Sequence, residues 1–318
     1  MRFSHISLGA LALAIATPAL ADPLPAAAGS PTANEAGAPA VDPMTPVGVT
    51  AAAGDAPMAP AATLDDAPAK KASSFTFTGG VTLTSDYRFR GLTQTDEGPA
   101  VQATLGISHS SGLYIGTWVS QIDGGLDGST PALRGYGGAE IDLYAGFTRT
   151  LKSGLGFDIG LLYYYYGTAP SAGPNTDFFE PYASINYTIG PVNAKLGAAY
   201  AWGGQKGLDF TSGSDDDIYV YGELAVGIPK TPITLKGHLG YTSGSLGLVN
   251  IDSKDNYIDY SVTAEAAISG VKVGVSYVGT NISNEFGVYQ KGNQVVTGKF
   301  AQVYGRGSTV LGYIGYSF

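Results

Sequence analysis

Cysteine is absent from this chain of 318 residues. No disulfide can hold it together, so its stability must come from burial and backbone pairing. Histidine is scarce, with 3 in all, and only His109 and His238 lie in the body of the chain. A Ser/His constellation would need His238 with a serine from across the fold, and no G-x-S-x-G nucleophile turn appears. Phosphate loop, zinc spacing and dinucleotide fingerprint are missing too. These gaps argue against an enzyme and imply no cofactor and no metal. A run of ~20 apolar residues, the length a helix needs to cross a bilayer, is also lacking. Acidic residues outnumber basic ones, 26 to 17, for a net charge of −9, which argues against nucleic acid as a partner. The acidic stretches Asp123 to Asp127 and Asp215 to Asp217 lack the EF-hand spacing and read as solvated loops.

What is present begins with an address. Arg2, the apolar run Leu8 to Ile15 and Thr17-Pro18-Ala19-Leu20-Ala21 make a basic start, a short hydrophobic core and a small-x-small cleavage site. Residues 1–21 therefore read as a secretory signal peptide cut after Ala21. Residues 22–72 are built largely of Ala, Pro, Gly and Thr. Too few large side chains are there to offset the entropy of ordering, so the segment reads as a disordered periplasmic tail.

From Ser74 onward the texture changes to period-two alternation. Phe75, Phe77, Val81 and Leu83 alternate with threonines; Leu155, Phe157, Ile159, Leu161 and Tyr163 alternate with Gly156, Asp158 and Gly160. Residues 73–318 are predicted to be all-β, a single transmembrane antiparallel up-and-down β-barrel of about twelve strands. The candidate strands are 74–90, 99–109, 113–122, 139–150, 155–166, 177–189, 192–202, 215–228, 233–243, 256–269, 271–281 and 307–318. Alternation alone does not separate such a barrel from a soluble sandwich. The connections do, because short turns at 110–112, 151–154, 190–191, 229–232 and 270 alternate with long loops, the asymmetry of outer-membrane barrels. Aromatic residues form two belts, Tyr87, Phe89, Tyr163, Tyr165, Tyr200, Trp202, Tyr241, Tyr260 and Tyr277 toward the loops, Phe75, Phe77, Phe147, Tyr187, Tyr316 and Phe318 toward the turns, where rings settle at the two membrane interfaces. The final strand carries Val310, Ile314, Tyr316 and Phe318 on one face. Ile314, Tyr316 and Phe318 there resemble the terminal signal that barrel assembly machinery reads.

The segment Thr84 to Ala103, with Ser85-Asp86-Tyr87-Arg88-Phe89-Arg90-Gly91, Gln94-Thr95 and Pro99-Ala100-Val101-Gln102, resembles the TorF-type porins, described as a conserved hypothetical outer-membrane family of Gram-negative bacteria. The likeness continues loosely through Gly116 to Ser120 and Glu140 to Tyr144 and spans the barrel part. It implies a channel in the bacterial outer membrane and carries over no binding residue.

If Tyr87 and Phe89 face lipid from the first strand, Asp86, Arg88 and Arg90 face the lumen. The same parity places Glu140, Asp142, Asp158, Glu180, Lys195, Glu223, Lys236, His238, Asp259, Glu265 and Lys272 inside as pore-lining candidates. Their mixed sign excludes a strong single-ion filter and leaves a weak cation preference at most. Twelve strands imply a narrow bore. Inward Gly156, Gly160, Gly197, Ala199, Gly240, Gly274 and Gly315 leave room, whereas Tyr164, Tyr166, Tyr182, Tyr219 and Tyr221 take it. The expected function is passive diffusion of small hydrophilic solutes, with outer-membrane lipid, lipopolysaccharide and the assembly machinery as the other partners. The rival reading is a non-conducting barrel that acts through its external loops. Because residues 22–72 offer almost no apolar face, deleting them behind an intact signal should leave barrel folding unchanged. The unheated, fast-migrating gel band should keep its wild-type intensity.

Overall fold

The structure is a computed structural model and describes residues 74–124, 133, 136–166, 176–208, 215–247, 255–291 and 294–318. The expected signal peptide and tail lie outside the described residues. The strands are β1 (Phe75–Thr84), β2 (Arg88–Phe89), β3 (Leu92–Thr93), β4 (Ala100–His109), β5 (Leu113–Gly124), β6 (Gly137–Thr150), β7 (Leu155–Tyr166) and β8 (Phe178–Ile189). They continue with β9 (Val192–Ala201), β10 (Asp217–Gly227), β11 (Ile233–Gly244), β12 (Asn256–Ile268), β13 (Val271–Thr280), β14 (Phe286–Lys291), β15 (Gln294–Lys299) and β16 (Thr309–Ser317). Twelve of them, β1 and β4 to β13 with β16, form one closed ring in sequence order, and β2–β3 and β14–β15 are separate two-stranded ribbons. A short helix, α1 (Phe300–Val303), follows β15.

Every neighbouring pair in the ring is antiparallel, and the last strand closes on the first from Gly80↔Ser317 to Thr84↔Tyr313. Phe318 extends the seam, its N–H donating to the Gly79 carbonyl at 3.0 Å and its carbonyl accepting from Gly79 at 3.1 Å. A closed ring leaves no unpaired edge, which is the condition for backbone surrounded by lipid.

The two faces are sorted as the alternation predicts, but inside out relative to a protein in water. Val81, Leu105, Ile159, Leu196, Leu239 and Val275 point outward and are exposed, while Thr82, Gln102, Asp158, Ser261 and Ser276 point inward and are buried. In water such an apolar exterior would be an aggregation surface, and a bilayer covers it. Rings mark both rims of this band. On the loop side Tyr163 stacks near Phe179 and Phe179 near Trp202, with centroids 4.4 and 6.0 Å apart. Phe75, Phe77, Tyr187, Tyr316 and Phe318 stand exposed on the turn side. Tyr87 and Phe89 depart from the expected belt and lie inside the barrel, Tyr87 fully buried.

The inward glycines leave less space than the sequence suggests. Gly116, Gly160, Gly197 and Gly274 each lie directly opposite a tyrosine of the next strand, Tyr144, Tyr182, Tyr221 and Tyr313 in turn. A Cβ at any of the four would overlap that ring. Each glycine is thus the seat of a cross-strand tyrosine, a small-against-large pairing that fills a tapering barrel. Parity placed both members inward for Gly160–Tyr182 and Gly197–Tyr221 and did not name Gly116, Tyr144 or Tyr313 as inward; what it missed is that the ring occupies the space the glycine leaves. Two further differences concern length. The first ring strand stops at Thr84 rather than running to 90, and the loop expected at 282–306 contains β14, β15 and α1. Gly274→Val, which forces the Tyr313 ring out of its seat, should destabilise the barrel by about 1–3 kcal/mol, read as a lower midpoint in heat-modifiability of the detergent-solubilised protein.

Candidate functional site

Past Thr84 the chain leaves the ring and turns into the lumen. Ser85 ends the seam with Gly312, donating its backbone N–H to the Gly312 carbonyl at 2.9 Å and accepting the Gly312 N–H on its hydroxyl at 3.0 Å. β2 and β3 then form a tight hairpin, paired Arg88↔Thr93 and Phe89↔Leu92. Its two turn residues, Arg90 and Gly91, both have positive φ, 46° and 82°. This is the backbone of a two-residue primed turn, which only Gly, Asn and Asp adopt cheaply. Arg90 is held there by its side chain.

Asp86 organises the hairpin from within. One carboxylate oxygen accepts from Arg88 Nε at 2.6 Å, the other from the Thr93 and Thr95 hydroxyls at 2.7 and 3.1 Å. Arg88 also donates to the carbonyls of Gly91 and Gly307, at 3.1 and 3.0 Å, and to Glu97 at 3.2 Å. The last long connection backs the hairpin, where the Gly305 carbonyl accepts from Thr93 N–H and Lys291 of β14 pairs with Asp96 at 2.6 Å.

The hairpin crosses the bore. Arg90 donates to Glu180 Oε1 at 2.6 Å and to Asp217 Oδ2 at 2.8 Å. Counting round the ring from β1, β8 is the fifth strand in one direction and β10 the fifth in the other, so both carboxylates stand on the far wall. On the way Tyr87 donates to Glu140 at 3.0 Å and sits 5.2 Å from the Trp118 ring, and Phe89 meets Tyr164 edge-on at 5.9 Å. The Arg90 guanidinium lies 4.2 Å over the Tyr219 ring. Arg88, Arg90 and Tyr87 are fully buried. The loop-side half of the lumen is stoppered.

The expectation that Asp86, Arg88 and Arg90 project from the first wall strand, with Tyr87 and Phe89 in lipid, is therefore corrected. The parity rule assumes that one face of a strand meets lipid, and a hairpin inside the lumen has no such face. Asp217 corrects the reading of Asp215 to Asp217 as a solvated loop, because it is buried at the start of β10 and pairs with Arg90. It shares inward parity with Tyr219, Tyr221 and Glu223, a pattern that could have found it.

The remaining candidates sit on inward positions and sort into two walls. On β9 to β13 the charges compensate one another, with Lys195–Glu223 at 3.5 Å, Lys236–Glu265 at 2.9 Å and His238 between Asp259 at 3.0 Å and Glu223 at 3.4 Å. Tyr219 also bonds the His238 ring at 2.9 Å, so His238 is taken up by this network and no serine is bonded to it among the described residues. Glu223 and Lys236 keep about a quarter of their side-chain surface exposed, 28% and 26%. Lys272 is buried on the same wall. On β6 and β7, Glu140, Asp142 and Asp158 have no ion pair among the described residues; Asp158 accepts from Tyr114 at 2.6 Å, while Asp142 Oδ1 and Gln102 Oε1 have no partner. No three His, Asp or Glu side chains converge to hold a metal among the described residues. At the seam, Ile314, Tyr316 and Phe318 stand exposed on the outer face of β16 and its end.

A family model described as "Bacterial protein of unknown function (Gcw_chp)" matches residues 68–304. The chain belongs to that family. The Gcw_chp match takes in the whole lumenal hairpin and all of the ring but β16. No functionally curated protein matches the chain. Among solved structures it is similar to the NanC porin, at 13% identity and a TM-score of 0.46 over 76% of this chain and 98% of that one. The KdgM porin, solved with a disordered oligogalacturonate, gives 10% identity and a TM-score of 0.45 over 76% and 99% of the two chains. The COG4313 outer membrane channel from Pseudomonas putida F1 gives 12% and 0.44 over 80% and 99%. At such values the likeness extends to the barrel architecture and no further.

Asp86→Ala removes the acceptor of three side-chain donors and leaves Arg88 buried beside it. Arg88 keeps Glu97 and two carbonyls, so the expected loss lies toward the lower end of the range for breaking a buried ion pair, about 3 kcal/mol, measured as a fall in the unfolding midpoint in urea and detergent.

Proposed function

We propose that this Gcw_chp protein is a narrow channel of the bacterial outer membrane, of the porin type its Ser85 to Gly91 motif resembles, with the lumenal hairpin as a built-in stopper. Small hydrophilic solutes are its cargo, and it holds at most a weak preference for cations. The observation that carries this reading is the combination of a charged, hydroxyl-rich lumen with a hairpin attached to the far wall by side chains alone. A barrel that only needed a filled core would be cheaper to fill with apolar residues, since buried ion pairs are seldom worth more than a well-packed hydrophobic replacement. Side-chain anchors can be broken and remade without disturbing the ring, whose ladder the hairpin does not join. The carboxylates of Glu140, Asp142 and Asp158, which have no ion pair among the described residues, supply the cation preference. The N-terminal signal, the lipid-facing exterior and the exposed aromatic end of β16 support an outer-membrane destination reached through the assembly machinery.

One observation favours a second reading, a closed barrel acting through its loops: both arginines of the hairpin are completely buried, as in a permanent seal. Planar-bilayer recording separates the two. Replacing residues 86–95 by a Gly/Ser linker should raise single-channel conductance several-fold over wild type, with a cation preference that fades at high salt as wall charges are screened. Negligible conductance from both proteins, each correctly folded, would favour the closed barrel.

A further inference from the structure

The two arginines of the hairpin are bound in different ways. Arg88 spends its donors on the hairpin itself and on the carbonyl of Gly307. Among the described residues Arg90 bonds only to the opposite wall, to Glu180 and Asp217. That wall holds its carboxylates without help from the hairpin. Tyr164 donates to the second oxygen of Glu180 at 3.0 Å, and the backbone N–H of Leu246 to the second oxygen of Asp217 at 3.2 Å. Tyr219 supplies an aromatic face under the cation. Both carboxylates are fully buried. The seat is therefore preorganised for a planar or compact cation, with two negative charges against one positive. Its present occupant fits it incompletely, because the buried Arg90 Nε has no hydrogen-bond partner and its backbone is held at a φ unfavourable to arginine.

We infer that the seat formed by Glu180, Asp217 and Tyr219 is a recognition site for a cationic head group, a guanidinium or a primary ammonium, carried by a solute. Arg90 is the resident occupant. A solute bearing such a group competes with Arg90 for the carboxylates and frees the hairpin from the far wall, so the cargo unlocks its own path. This rests on the channel reading above and names its substrate class. The two carboxylates select guanidinium and ammonium ions over quaternary ammonium, which has no N–H to donate, while the Tyr219 face accepts any of the three.

The test uses R90N, whose Asn-Gly turn suits the hairpin backbone, with R90G as a second variant should R90N fold poorly. Calorimetry in detergent with methylguanidinium, methylammonium and tetramethylammonium should show one site for the first two in R90N. Affinity should fall by roughly tenfold or more in R90N/E180Q/D217N, as charge-assisted hydrogen bonds are lost. In bilayers, methylguanidinium should raise wild-type conductance in a saturable manner, and tetramethylammonium at equal concentration should not. No binding by folded R90N or R90G overturns the inference. So does binding by R90N alongside a wild-type channel that conducts measurably and is indifferent to methylguanidinium, which would make Arg90 a structural anchor only. Were wild type and R90N both silent in bilayers, the channel reading would fall, and calorimetry would still decide the seat, binding by R90N upholding it and its absence overturning it.

Discussion

Closure of the backbone ladder is the constraint on which everything else in this protein depends. A peptide group in hydrocarbon has no water to turn to, and an unpaired one costs several kcal/mol. The ring from β1 round to β16 satisfies every neighbour in turn, and the Gly79–Phe318 exchange carries the seam past the last paired residue of β16. With no disulfide to restrain the chain, this ladder and the side-chain pairs across it hold the ring together.

Twelve strands fix the size of the lumen, and the lumen then dictates what can stand in it. Tyrosines are accommodated because the facing strand offers glycine, as at Tyr313 against Gly274. Charges are accommodated because most of them find an opposite charge within hydrogen-bonding reach. The exceptions among the described residues gather on β6 and β7, where Glu140 and Asp158 are partnered by tyrosine hydroxyls and Asp142 Oδ1 has no partner. This asymmetry between walls gives the bore its electrostatic character, which the net charge of the chain does not report.

In the proposed channel the hairpin is the part that must move. Its own hydrogen bonds, centred on Asp86, make it a rigid unit, while its tie to the far wall passes through one side chain, Arg90. A rigid element with one ionic tie to the far wall is the kind of part whose position a ligand biases by binding the two ends of that tie differently. The backing of the hairpin by Lys291 and Gly305 links it to the last long loop, so a partner acting on that loop would act on the stopper as well.

Strand number, the alternation of turns and loops, the belts apart from Tyr87 and Phe89, and the inward parity of Glu140, Glu180, Lys195, Glu223, Lys236, His238, Asp259 and Glu265 were legible in the chain, because each follows from a period of two and from turn chemistry that are local. The hairpin was not. Asp86, Arg88 and Arg90 keep the parity of Thr82 and Thr84, so the pattern runs on smoothly through the point where the chain leaves the wall. Nothing local distinguishes an arginine on a wall from one that spans a bore, because the difference lies in Glu180 and Asp217, 90 and 127 residues away. The same holds for the glycines, whose room is visible in the sequence and whose occupants are visible only once strands are paired. By itself the sequence determined a membrane barrel of twelve strands with a polar interior, since alternation and turn spacing encode it residue by residue. Only the tertiary structure decided that this interior is crossed by its own chain, because that depends on which carboxylates the closed ring carries round to face Arg90.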